Sequence, residues 1–111
     1  MSPSPEAPVP DDENTILTAN ALKAMAHPLR WKILCSLGER ELSVGEIVER
    51  TGTSQSNISQ HLEQLRNKNI VIARKEANRI FYRIRNPQLL ELIGIMRDVL
   101  CPANLDDRYP L

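Results

Sequence analysis

At Asn69 the spacing of large apolar side chains changes. Upstream they recur at helical intervals along one face. Downstream come IVIARKE and RIFYRIR, rich in Ile, Val, Phe and Tyr, with Ala77-Asn78 between them as a hairpin turn that lacks a glycine. In a chain of 111 residues, one domain at most, a single such change restricts the fold to mainly α (α+β) with one hairpin.

Punctuation divides the upstream half into four helices. Asn14 or Thr15 can cap the first, whose apolar positions are Leu17, Ala21, Leu22 and Met25. His27-Pro28 interrupts it, because a residue before proline resists the helical region. Pro28 then suits the first turn of PLRWKILCSLG, with Leu29, Ile33, Leu34 and Leu37 inward and Gly38 as the stop. Ser43 and Glu46 form a capping box for SVGEIVERTG, which turns Val44, Ile47 and Val48 inward and stops at Gly52. Ser54 caps a fourth helix with a narrow stripe of Ile58, Leu62 and Leu65. After the hairpin, Asn86-Pro87 opens PQLLELIGIMRDVLC, which is apolar on more than one face. The expected order is therefore α-α-α-α-β-β-α.

Residues 1–13 hold four prolines and little apolar surface, so a disordered arm is expected there. Residues 102–111 read as a loosely ordered tail, which leaves 14–101 as the folded domain. A core of that size is marginal alone. The broadly apolar last helix and the first helix are candidates for a homodimer interface, although both could instead cap their own core. There is no apolar run long enough to span a membrane and no signal-peptide pattern, so the expected location is cytoplasmic.

The formal net charge is zero, but it is unevenly distributed. Residues 14–105 carry 13 bases and 8 acids, a net +5. Residues 66–85 carry seven bases against Glu76, a net +6. Such a cluster attracts phosphate, or is simply a solvated face. Immediately before it stands TSQSNISQHLEQL, whose stretch 54–62 has no charged residue. Solvated helices normally favour Glu and Lys, because Ser and Asn are weaker helix formers. Amide and hydroxyl side chains are instead what base edges and phosphates require. Two helices joined by Gly52-Thr53 and followed by a basic hairpin match a winged helix-turn-helix that binds double-stranded DNA. A solvated polar helix remains the plainer alternative.

The segments LKAMAHPLRWKIL, ELSVGEIVERTGTSQSNISQHLEQLRNKNIV and RKEANRIFYRI resemble the ArsR/SmtB family of bacterial winged-helix repressors over roughly residues 14–101. The resemblance implies a homodimer through the first and last helices, bound to an operator and released by a small inducer. It places Ser54, Gln55, Ser56, Ser59, Gln60 and His61 on the DNA-reading stretch and Lys75, Asn78 and Arg79 on the wing. Many relatives sense metals. Here the stretch ELSVGEI lacks the family's paired cysteines, the last helix has Asp98 but no histidine, and the chain has only His27 and His61. A metal site assembled from these pieces is implausible, and no cofactor is expected.

Cys35 in KILCSL and Cys101 at the end of the last helix are the two cysteines. A small buried hydrophobe and an incidental thiol would be the plain reading. Their positions, however, resemble the persulfide-responsive BigR/SqrR/HlyU-type subgroup. That resemblance implies that reactive sulfur species bridge Cys35 and Cys101 and release the repressor from DNA. A metal or general oxidant as inducer, or a winged helix that binds protein instead of DNA, stays open. No phosphate loop, acid pair or catalytic triad points to an enzyme.

Overall fold

The computed structural model describes residues 8–100. Along the chain run α1 (Asp12–Met25), α2 (Pro28–Leu37), β1 (Leu42–Ser43), α3 (Val44–Thr51), α4 (Gln55–Asn67), β2 (Val71–Glu76), β3 (Arg79–Ile84) and α5 (Pro87–Leu100). The five helices and the hairpin stand in the expected order. The addition is β1, which pairs antiparallel with β3 through Leu42↔Tyr82 and Ser43↔Phe81, giving the sheet order β1-β3-β2. Two residues carry no alternation pattern, so this strand is defined by the edge that β3 offers.

Local chemistry sets the ends of the helices. Asp11, not Asn14 or Thr15, caps α1: its Oδ1 accepts from the Asn14 N–H at 2.7 Å. Asp12 and Glu13 then favour the positive end of the helix dipole. The helix therefore begins inside the segment expected to be disordered. The rest of that expectation, for residues 1–7, and the expected tail at 102–111 lie outside the described residues.

His27 caps α2, its Nδ1 accepting from the Leu29 N–H at 3.1 Å, with Pro28 in the first turn. The expected capping box of α3 is complete. Ser43 Oγ accepts from the Glu46 N–H at 3.2 Å, and Glu46 Oε1 accepts from the Ser43 N–H at 2.9 Å. Gly52 ends α3 in the left-handed region at φ 73°. The Lys32 ammonium donates to the Thr51 carbonyl at 3.0 Å, satisfying one of the last acceptors of α3.

Asn69, where the apolar period changes, has φ 59°. It closes α4 by a Schellman arrangement: Asn69 N–H donates to Arg66 O and Ile70 N–H to Leu65 O, both at 3.0 Å. Leu65 and Ile70 are both buried, so the same bonds that stop the helix seat the start of the hairpin in the core.

The core lies between α2, α3, α4 and the inner face of the hairpin. Ile33, Leu34, Leu37, Ile47, Ile58, Leu62, Leu65 and Val71 are fully buried. Ile93 anchors α5, and Ala24 and Met25 anchor the end of α1. Much of the other apolar surface of these two helices faces outward: Ile16, Leu17 and Leu22 on α1, and Leu92, Ile95, Val99 and Leu100 on α5.

The hairpin turn adopts a left-handed residue without glycine. Ala77 has φ 55°, a region that costs an L side chain roughly 1–2 kcal/mol. Ala77→Gly is expected to stabilise the fold by about 0.5–1 kcal/mol, after the greater entropy of glycine in the unfolded chain is deducted. Thermal unfolding of both proteins at equal concentration should show a rise of roughly 2–8 °C. A lower midpoint for the glycine variant would contradict a strained turn.

Candidate nucleic-acid interface

Helix α4 sorts its residues by periodicity. Ile58, Leu62 and Leu65 fall on one stripe and dock on the core. Gln55, Ser56, Ser59 and Gln60 are exposed on the flanks and the opposite face. Ser54 is exposed too, but its hydroxyl is engaged as the cap, accepting from the Asn57 N–H at 3.2 Å. Asn57 and Gln64 are exposed amides on the outward side that the site reading omitted. Their spacing from Gln60, three residues before and four after, was a signal available in the sequence. Glu63 also faces outward, ion-paired to Arg66 at 2.9 Å. The face without a charged side chain thus covers the first two turns of the helix.

His61 departs from the expected reading set. It follows Ile58 by three residues and precedes Leu62 by one, which places it on the flank of the buried stripe. Its ring packs on His27 with centroids 4.4 Å apart and planes tilted by 34°. Its Nδ1 is buried, as is Arg30 Nε, and neither atom has a hydrogen-bond partner among the described residues. Burial, then the nearby His27 and Arg30, lowers the pKa of His61 below its usual 6.5. It joins α4 to the capping residue of α2 and does not stand in the exposed row.

On the hairpin, alternation separates the expected wing residues. Lys75 pairs with Ile80 and Glu76 with Arg79, so Lys75 and Arg79 occupy opposite faces. Both are exposed, as is Asn78 at the turn. Arg79 donates from Nη2 to Ser43 Oγ at 3.1 Å and lies 3.8 Å from Glu46 Oε1.

Cys35 is half-buried on α2. It lines a cleft of about 670 Å³ between α2 and α5, together with Arg40, Leu90, Gly94 and Arg97. It also lines a smaller one of about 320 Å³ with Trp31, Lys32, Ser36 and again Arg97. Cys101 lies outside the described residues, immediately after the last residue of α5. Among the described residues, no group of three or more His, Cys, Asp or Glu is placed to hold a metal ion, and no helix is long and apolar enough to cross a membrane.

Residues 27–73 match the family described as bacterial regulatory protein, arsR family. The chain is 41% identical over 93 residues to the transcriptional activator HlyU of Vibrio cholerae, an alignment covering 84% of this chain and 86% of that protein. The HlyU structure superposes with a TM-score of 0.75, covering 82% of this chain and 99% of the other at 40% identity. The transcriptional repressor BigR from Xylella fastidiosa gives a TM-score of 0.72 at 34% identity, covering 81% and 92%. A homodimeric winged helix-turn-helix DNA-binding domain from Mycobacterium bovis gives 0.74 at 28% identity, covering 91% and 94%.

The half-buried histidine has a consequence for stability. Because the folded chain holds His61 below 6.5, the unfolded chain binds its proton more readily. Stability is therefore full above about pH 6.5 and is lost as the pH falls from there through the folded-state value. Glu41 and Glu46, whose pKa values are lowered from 4.5, lose their contribution only at more acid pH. Denaturant unfolding between pH 7.5 and 5 should show the wild type weakening while His61→Gln stays nearly level. Equal slopes for the two proteins would remove His61 as the cause.

Proposed function

The chain belongs to the arsR family of bacterial regulatory proteins, and from that premise we propose that it is a homodimeric repressor whose two thiols release it from its operator. It is a DNA-binding transcriptional regulator and not an enzyme. The observation that carries the reading is the uncharged, hydroxyl- and amide-rich face of α4, held outward by Ile58, Leu62 and Leu65. A helix of this kind suits a major groove, where Gln pairs with adenine and Ser reaches base edges or phosphate. Ser54, Gln55, Ser56, Ser59 and Gln60 are assigned to that contact, and Lys75, Asn78 and Arg79 to the flanking backbone. His61 is left out, because its ring is occupied against His27.

Dimerisation is supported by the apolar residues that α1 and α5 leave exposed, Leu17 at 60% and Val99 at 69% among them. Burying this surface against a second copy would enlarge a small core and fix the spacing of two α4 helices, as a two-fold operator requires. The related winged helix-turn-helix domain from Mycobacterium bovis is homodimeric. The names of the relatives carry both signs of regulation, activator for HlyU and repressor for BigR. This chain acts as a repressor, with release from DNA as the response.

For the thiols, the support is the position of Cys35 on the cleft between α2 and α5, with Arg97 beside it. A Cys35 thiolate attacks the sulfane sulfur of a hydropolysulfide: one S–S bond forms, one breaks, and the shortened sulfide leaves with the electron pair. The Cys101 thiolate then attacks Cys35 Sγ, breaking the S–S bond of the Cys35 persulfide and expelling its outer sulfur as hydrosulfide, which leaves a Cys35–Cys101 disulfide. Such a bridge would tie α2 to α5 and change how the two DNA-reading helices sit on the operator.

Two outcomes test the proposal. Gln60→Ala should weaken operator binding by about 1–3 kcal/mol more than it weakens binding to random duplex. Arg79→Ala should weaken both alike and flatten the salt slope by roughly one unit. Identical behaviour of the two variants would undo the division between helix and wing.

In the second test, the reduced wild type binds operator and hydropolysulfide releases it, with intact mass showing the bridge and dithiothreitol reversing it. Cys35→Ser and Cys101→Ser should each bind and fail to release. If the double Cys→Ser protein still leaves DNA under that treatment, the thiol mechanism is rejected.

A further inference from the structure

Counted by sequence, the hairpin region is a patch of seven bases between Arg66 and Arg85. The structure divides them into bases held by acids and bases that remain available. Arg66 is paired with Glu63. Arg74 is gripped by two acids. Its Nε lies 3.1 and 3.0 Å from the two carboxylate oxygens of Glu41, its Nη2 2.7 Å from Glu41 Oε1, and its Nη1 2.9 Å from Glu76 Oε2. Arg79 is held loosely, by one hydroxyl at 3.1 Å and one carboxylate at 3.8 Å, and its side chain is 63% exposed.

The two arginines share one surface. Arg74 pairs across the ladder with Phe81, and Arg79 precedes Phe81 by two residues, so all three lie on one face of the sheet. Each guanidinium carbon sits 5.0 Å from the centre of the Phe81 ring. A phosphate approaching Arg79 therefore approaches Arg74 as well. Exposed ion pairs are individually weak, so the difference between the two arginines lies in geometry and charge balance. Binding phosphate through Arg74 means giving up a bidentate carboxylate and a second acid for one anion. Binding through Arg79 gives up one hydrogen bond to a neutral hydroxyl at 3.1 Å and one carboxylate contact at 3.8 Å, and the Ser43 cap of α3 remains, since Ser43 Oγ keeps the Glu46 N–H.

We propose that Glu41, assisted by Glu76, is a positioning residue that keeps Arg74 out of phosphate contact, so that of this arginine pair only Arg79 engages DNA. This rests on the DNA-binding reading above. Glu41 is well placed for the role. It directly precedes β1, whose Leu42 is fixed to Tyr82, and its side chain is 28% exposed against 49% for Arg74. The hydrogen bonds from Arg74 hold its carboxyl below the usual range, which keeps it ionised across neutral pH. The wing then carries fewer working phosphate contacts than its base count suggests, and non-specific affinity is held down while the reading face of α4 is untouched.

The test is the salt dependence of binding to a random-sequence duplex of fixed length, followed by fluorescence anisotropy with the full chain. Each phosphate neutralised contributes a slope of about 0.9 in log affinity against log salt. Arg79→Ala should be shallower by roughly 0.9 per protomer, and Arg74→Ala unchanged. Glu41→Gln with Glu76→Gln should be steeper by roughly 0.9 per protomer and tighter at low salt. Adding Arg74→Ala to that pair should return the slope to the wild-type value, which a general change of charge would not do. The proposal is overturned if Arg74→Ala flattens the slope as Arg79→Ala does, if the two glutamines leave it unchanged, or if they steepen it equally without Arg74. A wild type with no affinity for any duplex would instead remove the DNA-binding reading itself.

Discussion

The seating of α4 governs everything else in the molecule. Its Ile58, Leu62 and Leu65 are completely withdrawn from water against a core that includes Ile33, Leu34 and Leu37 of α2 and Ile47 of α3. Burying side chains of this size stabilises by roughly 1.5–3 kcal/mol each. The stripe is narrow, so the remainder of the helix surface is left to polar side chains. Rotating α4 to expose one of these three would bury an amide or hydroxyl without a partner, which is costly. The apolar stripe thus aims the polar face outward as firmly as it holds the helix to the core.

That arrangement uses the available core fully and leaves α1 and α5 with one anchored side and one apolar side in water. In a domain this small, such a surface has more to gain from a second copy than from further folding. Cys35 occupies the seam between α2 and α5, where packing within the chain meets the helix proposed to pack between chains. A covalent change there is positioned to alter both.

Electrostatic character follows pairing more than count. The region from Arg66 to Arg85 is strongly basic by sequence, yet Glu63, Glu41, Glu76 and Glu46 all lie against its arginines. The pairing of Glu63 with Arg66, one helical turn apart, is a local relation, whereas the partners of Glu41 and Glu46 lie far along the chain and could not be read from it. The same holds for His61. Its place beside the apolar stripe follows from helical spacing, and a stricter use of that spacing would have turned it inward. Its stacking partner, His27, belongs to another helix and is unreadable from local pattern.

By itself the sequence determined what depends on neighbours along the chain. The change of period at Asn69, the capping box of Ser43 and Glu46, the left-handed stop at Gly52 and the stripe on α4 are all relations within a few residues, and each appears as expected. Even the start of α1 was written locally, in Asp11 and the two acids after it, although Asn14 and Thr15 competed for the assignment. Tertiary structure decided what depends on distant residues meeting. Glu41 grips Arg74 across 33 positions and Ser43 meets Arg79 across 36. β1 exists because β3 presents an edge to it. Short-range preferences are set by the backbone conformation of each segment, whereas these contacts are set by how the segments pack. For that reason the kind of surface was legible in the residues, and the charges left available on it were not.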